Sequence, residues 1–195
     1  MADFLRAEGV THLIDATHPF AAQISRNAVA ASAQAGVPLV ALSRPPWTAV
    51  AGDNWQRVAD IRSAAAALKR PRRTILLALG RLNLPAFAVN PQHRYLLRLI
   101  DAPSAAPPFP DHHIVIERGP FCYRADLALL RRHRVDLLVS KNSGGAAAYA
   151  KIAAARTLGL PVLMIERPAL PKRRELHGVG EVLDWIAHAG AERGV

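Results

Sequence analysis

One cysteine, Cys122, is all that the sequence offers, which excludes an internal disulfide, and no spacing of cysteine and histidine suits a zinc site. Aromatic residues make up only 6%. That is too sparse for a base-stacking platform, and neither a recognition helix nor an RNA-binding sheet motif is visible. No run approaches the roughly 18 to 20 consecutive apolar residues of a membrane span, and the N-terminus lacks the basic, apolar, small-residue order of a signal peptide. The expectation is a cytoplasmic protein with no metal, no membrane and no nucleic acid among its partners. Acidic residues are also in deficit. With 15 Asp plus Glu against 25 Lys plus Arg, the formal charge is +10, which attracts anions without specifying which. The basic clusters KRPRR (69–73), RRHR (131–134) and PKRR (171–174) read as solvated helix ends and loops, because cations near helix C-termini are favoured by the macrodipole.

Apolar residues are plentiful. At 195 residues and 51% hydrophobic, the chain can bury a substantial core as one domain or two small ones. Short apolar runs predict strands at 10–15, 37–42, 74–79, 94–100, 113–117, 135–140 and 161–165. Ala-rich stretches between them predict helices at 2–9, 19–35, 59–69, 123–133, 144–158 and 180–189, with a short one near 83–88. Strands that are apolar throughout, separated by helices of this length, argue for parallel sheets and an α/β fold. The Pro-rich stretch DAPSAAPPFPD continues neither element, so a linker is expected at 102–111, between an N-terminal domain (1–101) and a C-terminal α/β domain (112–195).

An internal repeat supports two related halves. The segment from Val10, VTHLIDATHPFAAQISRNAVAASAQAGVPLVALSRP, lies along the segment from Val135, VDLLVSKNSGGAAAYAKIAAARTLGLPVLMIERP. Both spell strand, polar turn, helix, glycine, proline, strand and Arg-Pro. Each copy puts polar residues or glycine where a strand's carboxyl end meets a helix N-terminus, the edge at which open α/β sheets bind ligands. In SKNSGG, Ser143 could cap a helix, Gly144 and Gly145 let backbone approach a phosphate or carboxylate, and Lys141 adds charge. In DATHPF, Thr17 could cap and Pro19 open a helix. His18 reads as a hydrogen-bond donor, a proton carrier or a packed core histidine. The two junctions, 15–20 and 140–145, are expected to face one cleft.

DATHPFAAQISRNA, VPLVALSRPPW, GRLNLPAF, RGPF and SKNSGGAAAYAKIAAARTLGLPVLMIERP, in that order, resemble the precorrin-6A reductase family (CobK/CbiJ) of cobalamin biosynthesis, from about Phe4 to Leu170. The resemblance implies two Rossmann-like domains with the active site between them, and NADPH-dependent reduction of a double bond in an anionic, polycarboxylate corrin precursor. On that basis Asp15, Thr17, His18, Gly80 and Arg81 are expected on the cofactor side. Arg44, Arg118, Lys141, Asn142, Ser143, Gly144 and Gly145 are expected on the substrate side, and His18 is the expected proton donor. Two departures stand out: the family pattern carries threonine where this chain has Ala148, and family members open with a strand and Gly-rich phosphate loop ahead of the point where this sequence starts. The first domain is therefore expected to be N-terminally truncated, with an exposed sheet edge and weak NADPH binding as consequences. Other classes remain open at this level: a nucleic-acid-binding module, a silent tetrapyrrole-binding remnant, or another nucleotide-binding α/β protein.

Overall fold

Parallel pairing organises the strands, as the continuous apolar character of the interior ones predicts. The structure is a computed structural model and describes residues 1–191. In chain order its elements are α1 (Ala2–Ala7), β1 (Leu13–Asp15), α2 (Ala22–Ala35), β2 (Leu39–Leu42), β3 (Asn54–Val58), α3 (Ile61–Ala67), β4 (Thr74–Ala78), a 3-10 helix (Arg81–Phe87), β5 (Arg94–Leu99), β6 (His112–Ile116), α4 (Tyr123–Arg132), β7 (Leu137–Lys141), α5 (Ala150–Thr157), β8 (Pro161–Ile165), β9 (Arg174–Leu176) and α6 (Val179–Ala191).

The chain divides into two compact units. One is Met1–Pro45 joined by the segment from Pro168; the other is Pro46–Arg167. The first carries a three-stranded parallel sheet, β1-β2-β9, with α1 and α2 packed through Ala2, Leu5, Ala31 and Val37. The second carries a six-stranded parallel sheet, β3-β8-β7-β4-β5-β6. Its central strands supply Ile75, Leu76, Leu77, Leu138 and Val139, all fully buried. Each such side chain contributes about 1.5–3 kcal/mol by leaving water.

This division corrects the expected linker. Residues 102–111 do not separate domains, because β5 and β6 on either side of them are hydrogen-bonded neighbours, with Tyr95 opposite His112. Phe109, inside the stretch, is buried with its ring centroid 4.2 Å from that of Tyr95. Proline stops a helix or strand but does not say whether the chain returns to the same sheet. The units instead exchange chain at the two Arg-Pro endings of the repeat. After Arg44-Pro45 the chain enters the second unit and β3 pairs with β8; after Arg167-Pro168 it returns and β9 pairs with β2.

Each repeat copy is a βαβ unit whose strands pair directly, β1 with β2 and β7 with β8. Both helices end in a left-handed glycine, Gly36 (φ 68°) as the C-cap of α2 and Gly159 (φ 62°) one residue past the C-cap Leu158 of α5, where glycine takes this backbone at little cost. Their starts differ from expectation. The first helix begins at Ala22 rather than 19, and the second at Ala150 rather than 144. Gly144 and Gly145 take φ of 69° and 77°, which a right-handed helix cannot include, so residues 142–149 form a loop instead.

Candidate functional site

In the first unit, the carboxyl ends of β1, β2 and β9 bring Asp15–His18, Ser43–Arg44 and His177 to one sheet edge. Asp15 is buried and shapes the turn that follows it. Its Oδ1 accepts from Thr17 N at 3.1 Å and Thr17 Oγ1 at 2.6 Å, and its Oδ2 accepts from Arg173 Nη1 at 2.5 Å. Burial pushes the Asp15 carboxyl up, but hydrogen bonds from Thr17 and Ser25 and the Arg173 guanidinium outweigh it and hold the group below its ordinary value. Thr17 is therefore tied to Asp15 and does not cap α2, whose N-cap residue Ala21 provides no side-chain bond. Pro19 lies in the turn ahead of the helix, not in its first turn. Without a cap or an acidic residue, the first turn of α2 presents bare amides beside exposed Thr17 and His18.

His18 is exposed, which excludes the packed-core reading. Its Nδ1 accepts from Phe20 N at 3.2 Å, so the neutral ring carries its proton on Nε2. Arg44 is exposed just beyond β2. On β9's side, His177 Nδ1 donates to Ser43 O at 2.6 Å, and Glu181 accepts from the amides of His177 and Gly178, both at 2.7 Å.

In the second unit, the strands end in a row that collects most of the remaining expected residues. Gly80 and Arg81 follow β4, Arg118 lies just past β6, and Lys141–Gly145 close β7 and lead toward α5. Strands β4 and β7 are neighbours with Ala78 opposite Ser140, so Gly80, Arg81 and the SKNSGG loop sit side by side. Gly80 precedes the 3-10 helix and its carbonyl accepts from Asn83 N at 2.9 Å, while Arg81 is exposed. Arg118 is exposed and pairs with Asp101 at 3.1 Å. Burial lowers the Lys141 ammonium below its ordinary value.

The 142–149 loop is held by its carbonyls. Arg167 Nε donates to Asn142 O at 2.9 Å and its Nη2 to Ser143 O at 3.1 Å; Trp47 Nε1 donates to Gly145 O at 2.9 Å; Lys151 Nζ donates to Ala148 O at 2.7 Å. In a trans peptide the N–H points away from the carbonyl that precedes it. Anchoring Ser143 O and Gly145 O thus turns the N–H groups of Gly144 and Ala146 away from those anchors; Gly144 is buried, whereas Ala146 and Ala147 are exposed. Among the described residues, the amides of 144–148 donate to nothing in the chain, which leaves a run of backbone donors available to an anion. Asn142 is the scaffold of this loop and not a free ligand. It is 1% exposed, its Oδ1 accepts from Trp47 N at 2.7 Å and its Nδ2 donates to Trp47 O at 3.1 Å. Ser143, also buried, caps no helix, because α5 starts seven residues later.

The expected residues therefore divide by unit. Asp15, Thr17, His18 and Arg44 belong to the first; Gly80, Arg81, Arg118, Lys141, Asn142, Ser143, Gly144 and Gly145 belong to the second. Sequence reasoning missed Trp47, Lys151, Arg173 and His177, and gave Arg167 no role beyond its place in the repeat. Of the basic clusters, 69–73 and 131–134 lie in a loop and at a helix end as expected. PKRR does not stay solvated: the Arg173 side chain is 7% exposed and pairs with Asp15. Cys122 is an exposed free thiol ahead of α4. Among the described residues, no cluster of His, Cys, Asp and Glu could hold a metal ion, and no helix is long and apolar enough to cross a membrane.

The model of a family described as precorrin-6x reductase CbiJ/CobK matches residues 1–187. The precorrin-6A reductase of Rhodobacter capsulatus is 52% identical over 196 residues, covering 100% of this chain and 78% of that one. That of Rhodococcus erythropolis is 45% identical over 187 residues, covering 95% and 75%. The cobalt-precorrin-6A reductase of Priestia megaterium is 32% identical over 199 residues, covering 97% and 76%. A solved structure of CobK precorrin-6A reductase superposes with a TM-score of 0.95 at 52% identity, covering 97% of this chain and 78% of that one.

Proposed function

The chain belongs to the precorrin-6x reductase CbiJ/CobK family, and from that membership we propose that it catalyses the NADPH-dependent reduction of a macrocycle double bond in precorrin-6A, or its cobalt form, to the dihydro product in cobalamin biosynthesis. The observation that carries the reading furthest is the pair of anion-ready strand ends, since both reactants are anionic. In the first unit, the bare amides of α2 with exposed Thr17 and His18 fit a phosphate of the cofactor. In the second, the unbonded amides of the 144–148 loop, exposed at Ala146 and Ala147, with Lys141, Arg81 and Arg118 along the same edge, fit carboxylates of the substrate. This assigns Arg81 and Gly80 to the substrate side, because they share an edge with Lys141 and not with His18.

NADPH, when bound, supplies the hydride. The protein's own part is placement: Asp15, locked by Arg173, fixes the turn that presents His18, and Arg167 and Trp47 fix the loop that presents the amides. His18 is exposed and, as the imidazolium, would supply the proton that completes the reduction and return to the neutral ring. The test is oxidation of NADPH by the purified protein with precorrin-6A and, separately, cobalt-precorrin-6A. Turnover of either with NADPH supports the reading. Tight binding of both reactants with no oxidation of NADPH overturns it in favour of a silent tetrapyrrole-binding protein.

A further inference from the structure

A buried ammonium without a carboxylate partner lies directly behind the 142–149 loop. Lys151, in the first turn of α5, is 8% exposed. Its Nζ donates to Ala148 O at 2.7 Å and stands 5.0 Å from the centre of the Trp47 ring. The charged groups facing it from neighbouring elements are Arg98 on β5 and Asp126 on α4. Asp126 is itself engaged by Arg98, which also pairs with Glu117 beyond β6 at 3.5 Å. Among the described residues no carboxylate forms an ion pair with Lys151.

Such a group is expensive to keep. An interior ammonium without a counter-ion destabilises the fold relative to an apolar side chain of similar length, and a methionine there would span the same space. Two features of its position indicate what it does. Its single hydrogen bond ties the carbonyl at the end of the turn that connects the free amides to α5. Its charge adds positive potential behind those amides, in a low-dielectric setting where charge acts strongly.

We propose that Lys151 is a positioning residue for anion binding by the 144–148 loop: its ammonium fixes the turn through Ala148 and biases the unbonded amides toward a carboxylate, and the bound carboxylate supplies the counter-charge that the ammonium lacks. The inference deepens the reading of this loop as a substrate-carboxylate site and rests on it. Burial and the nearby Arg98 lower the Lys151 ammonium to about 8, with Asp126 partly opposing them. Protonated Lys151 therefore prevails below that value, where the loop binds best, and an anion on the loop raises it.

Two measurements test this. In a Trp55→Phe, Trp185→Phe background, Trp47 reports on Lys151 without any ligand. Its fluorescence should change with a midpoint at about 8 in the protein with Lys151 and show no such transition in Lys151→Met. A flat Trp47 signal from about pH 7 to 9.5, or an identical transition in Lys151→Met, overturns the proposal. The second measurement is calorimetric titration with uroporphyrin, a polycarboxylate tetrapyrrole, over the same range. Affinity should fall as pH rises through the Lys151 transition, and Lys151→Met should bind about tenfold more weakly at neutral pH while melting no lower than the unmutated protein.

Lys141 also titrates on this edge, which the variants resolve. If Lys151→Met keeps both the affinity and the pH break, Lys141 or another group is responsible and the proposal fails. Gly144→Ala, which disturbs the loop directly, separates the two readings. If it leaves uroporphyrin binding unchanged, the loop is not the carboxylate site; if it weakens binding while Lys151→Met does not, the loop reading stands and the role given to Lys151 falls. Lys151→Arg guards against loss of fold in the methionine variant, because it keeps the charge: it should recover most of the affinity and lose the pH break.

Discussion

At the scale of single residues, the polar positions in the first repeat copy do different work from that expected of them. Asp15 was legible as a strand end but not as one half of a buried ion pair, because Arg173 lies 158 residues away in a segment that reads as a solvated basic run. The pair has a pH signature. The folded carboxyl is held below its ordinary 3.8, so its contribution is complete above that value and is lost as pH falls through the lower, folded one. Asp15→Asn should therefore cost about 3 kcal/mol at neutral pH, the low end for a broken buried pair, because the buried Arg173 guanidinium keeps only the exposed Glu175 carboxylate at 3.5 Å. Urea titrations at neutral and acid pH should show both the loss and a shallower acid-side decline in the variant. Asn142 teaches a related lesson: its place in SKNSGG suggested a ligand, and its contacts with Trp47 make it a brace. Side-chain type was readable at both positions, but the partner that determines the role was not.

At the scale of elements, the interior strands were the most legible and the edges the least. β4, β5, β7 and β8 are apolar runs because both of their faces are covered. β3, with the sequence NWQRV, and β9, with REL, are edge strands of mixed polarity, and neither gives a periodic signal. Helix ends followed glycine faithfully at the C-terminal side. At Gly36 and Gly159 an added methyl would meet nothing within 4 Å, so any cost of substitution is conformational. Gly36→Ala and Gly159→Ala should each lower stability by about 1–2 kcal/mol, measurable as shifts of the denaturation midpoint at constant slope. A loss near zero at either site would mean that the backbone relaxes out of the left-handed region. Helix starts were misjudged because Thr17 and Ser143 looked like caps. One is engaged by Asp15 and the other lies in a loop that the two positive-φ glycines prevent from coiling.

At the scale of the whole molecule, the topology makes a sharp claim about which parts of the chain depend on each other. The segment from Pro168 completes the first unit, bringing β9 beside β2, Arg173 to Asp15 and His177 to Ser43. The second unit is complete at Arg167. A chain ending at Arg167 should therefore lose protection against amide hydrogen exchange in β1, β2 and α2 while β4, β7 and α5 remain protected. Uniform loss of protection in both would show that the units are a single cooperative body. By itself the sequence determined the class of fold, the parallel pairing, the two βαβ copies and the anion-seeking charge, because these follow from hydrophobic period, glycine position and composition, which are local. Only the tertiary structure decided that 102–111 is an internal crossover, that β3 and β9 pair away from their nearest neighbours in sequence, and that Arg173, Trp47 and Lys151 stand behind the candidate sites. Those outcomes depend on which distant segments meet, and a strand's hydrogen-bonding edge carries no mark in its sequence of the partner it will take.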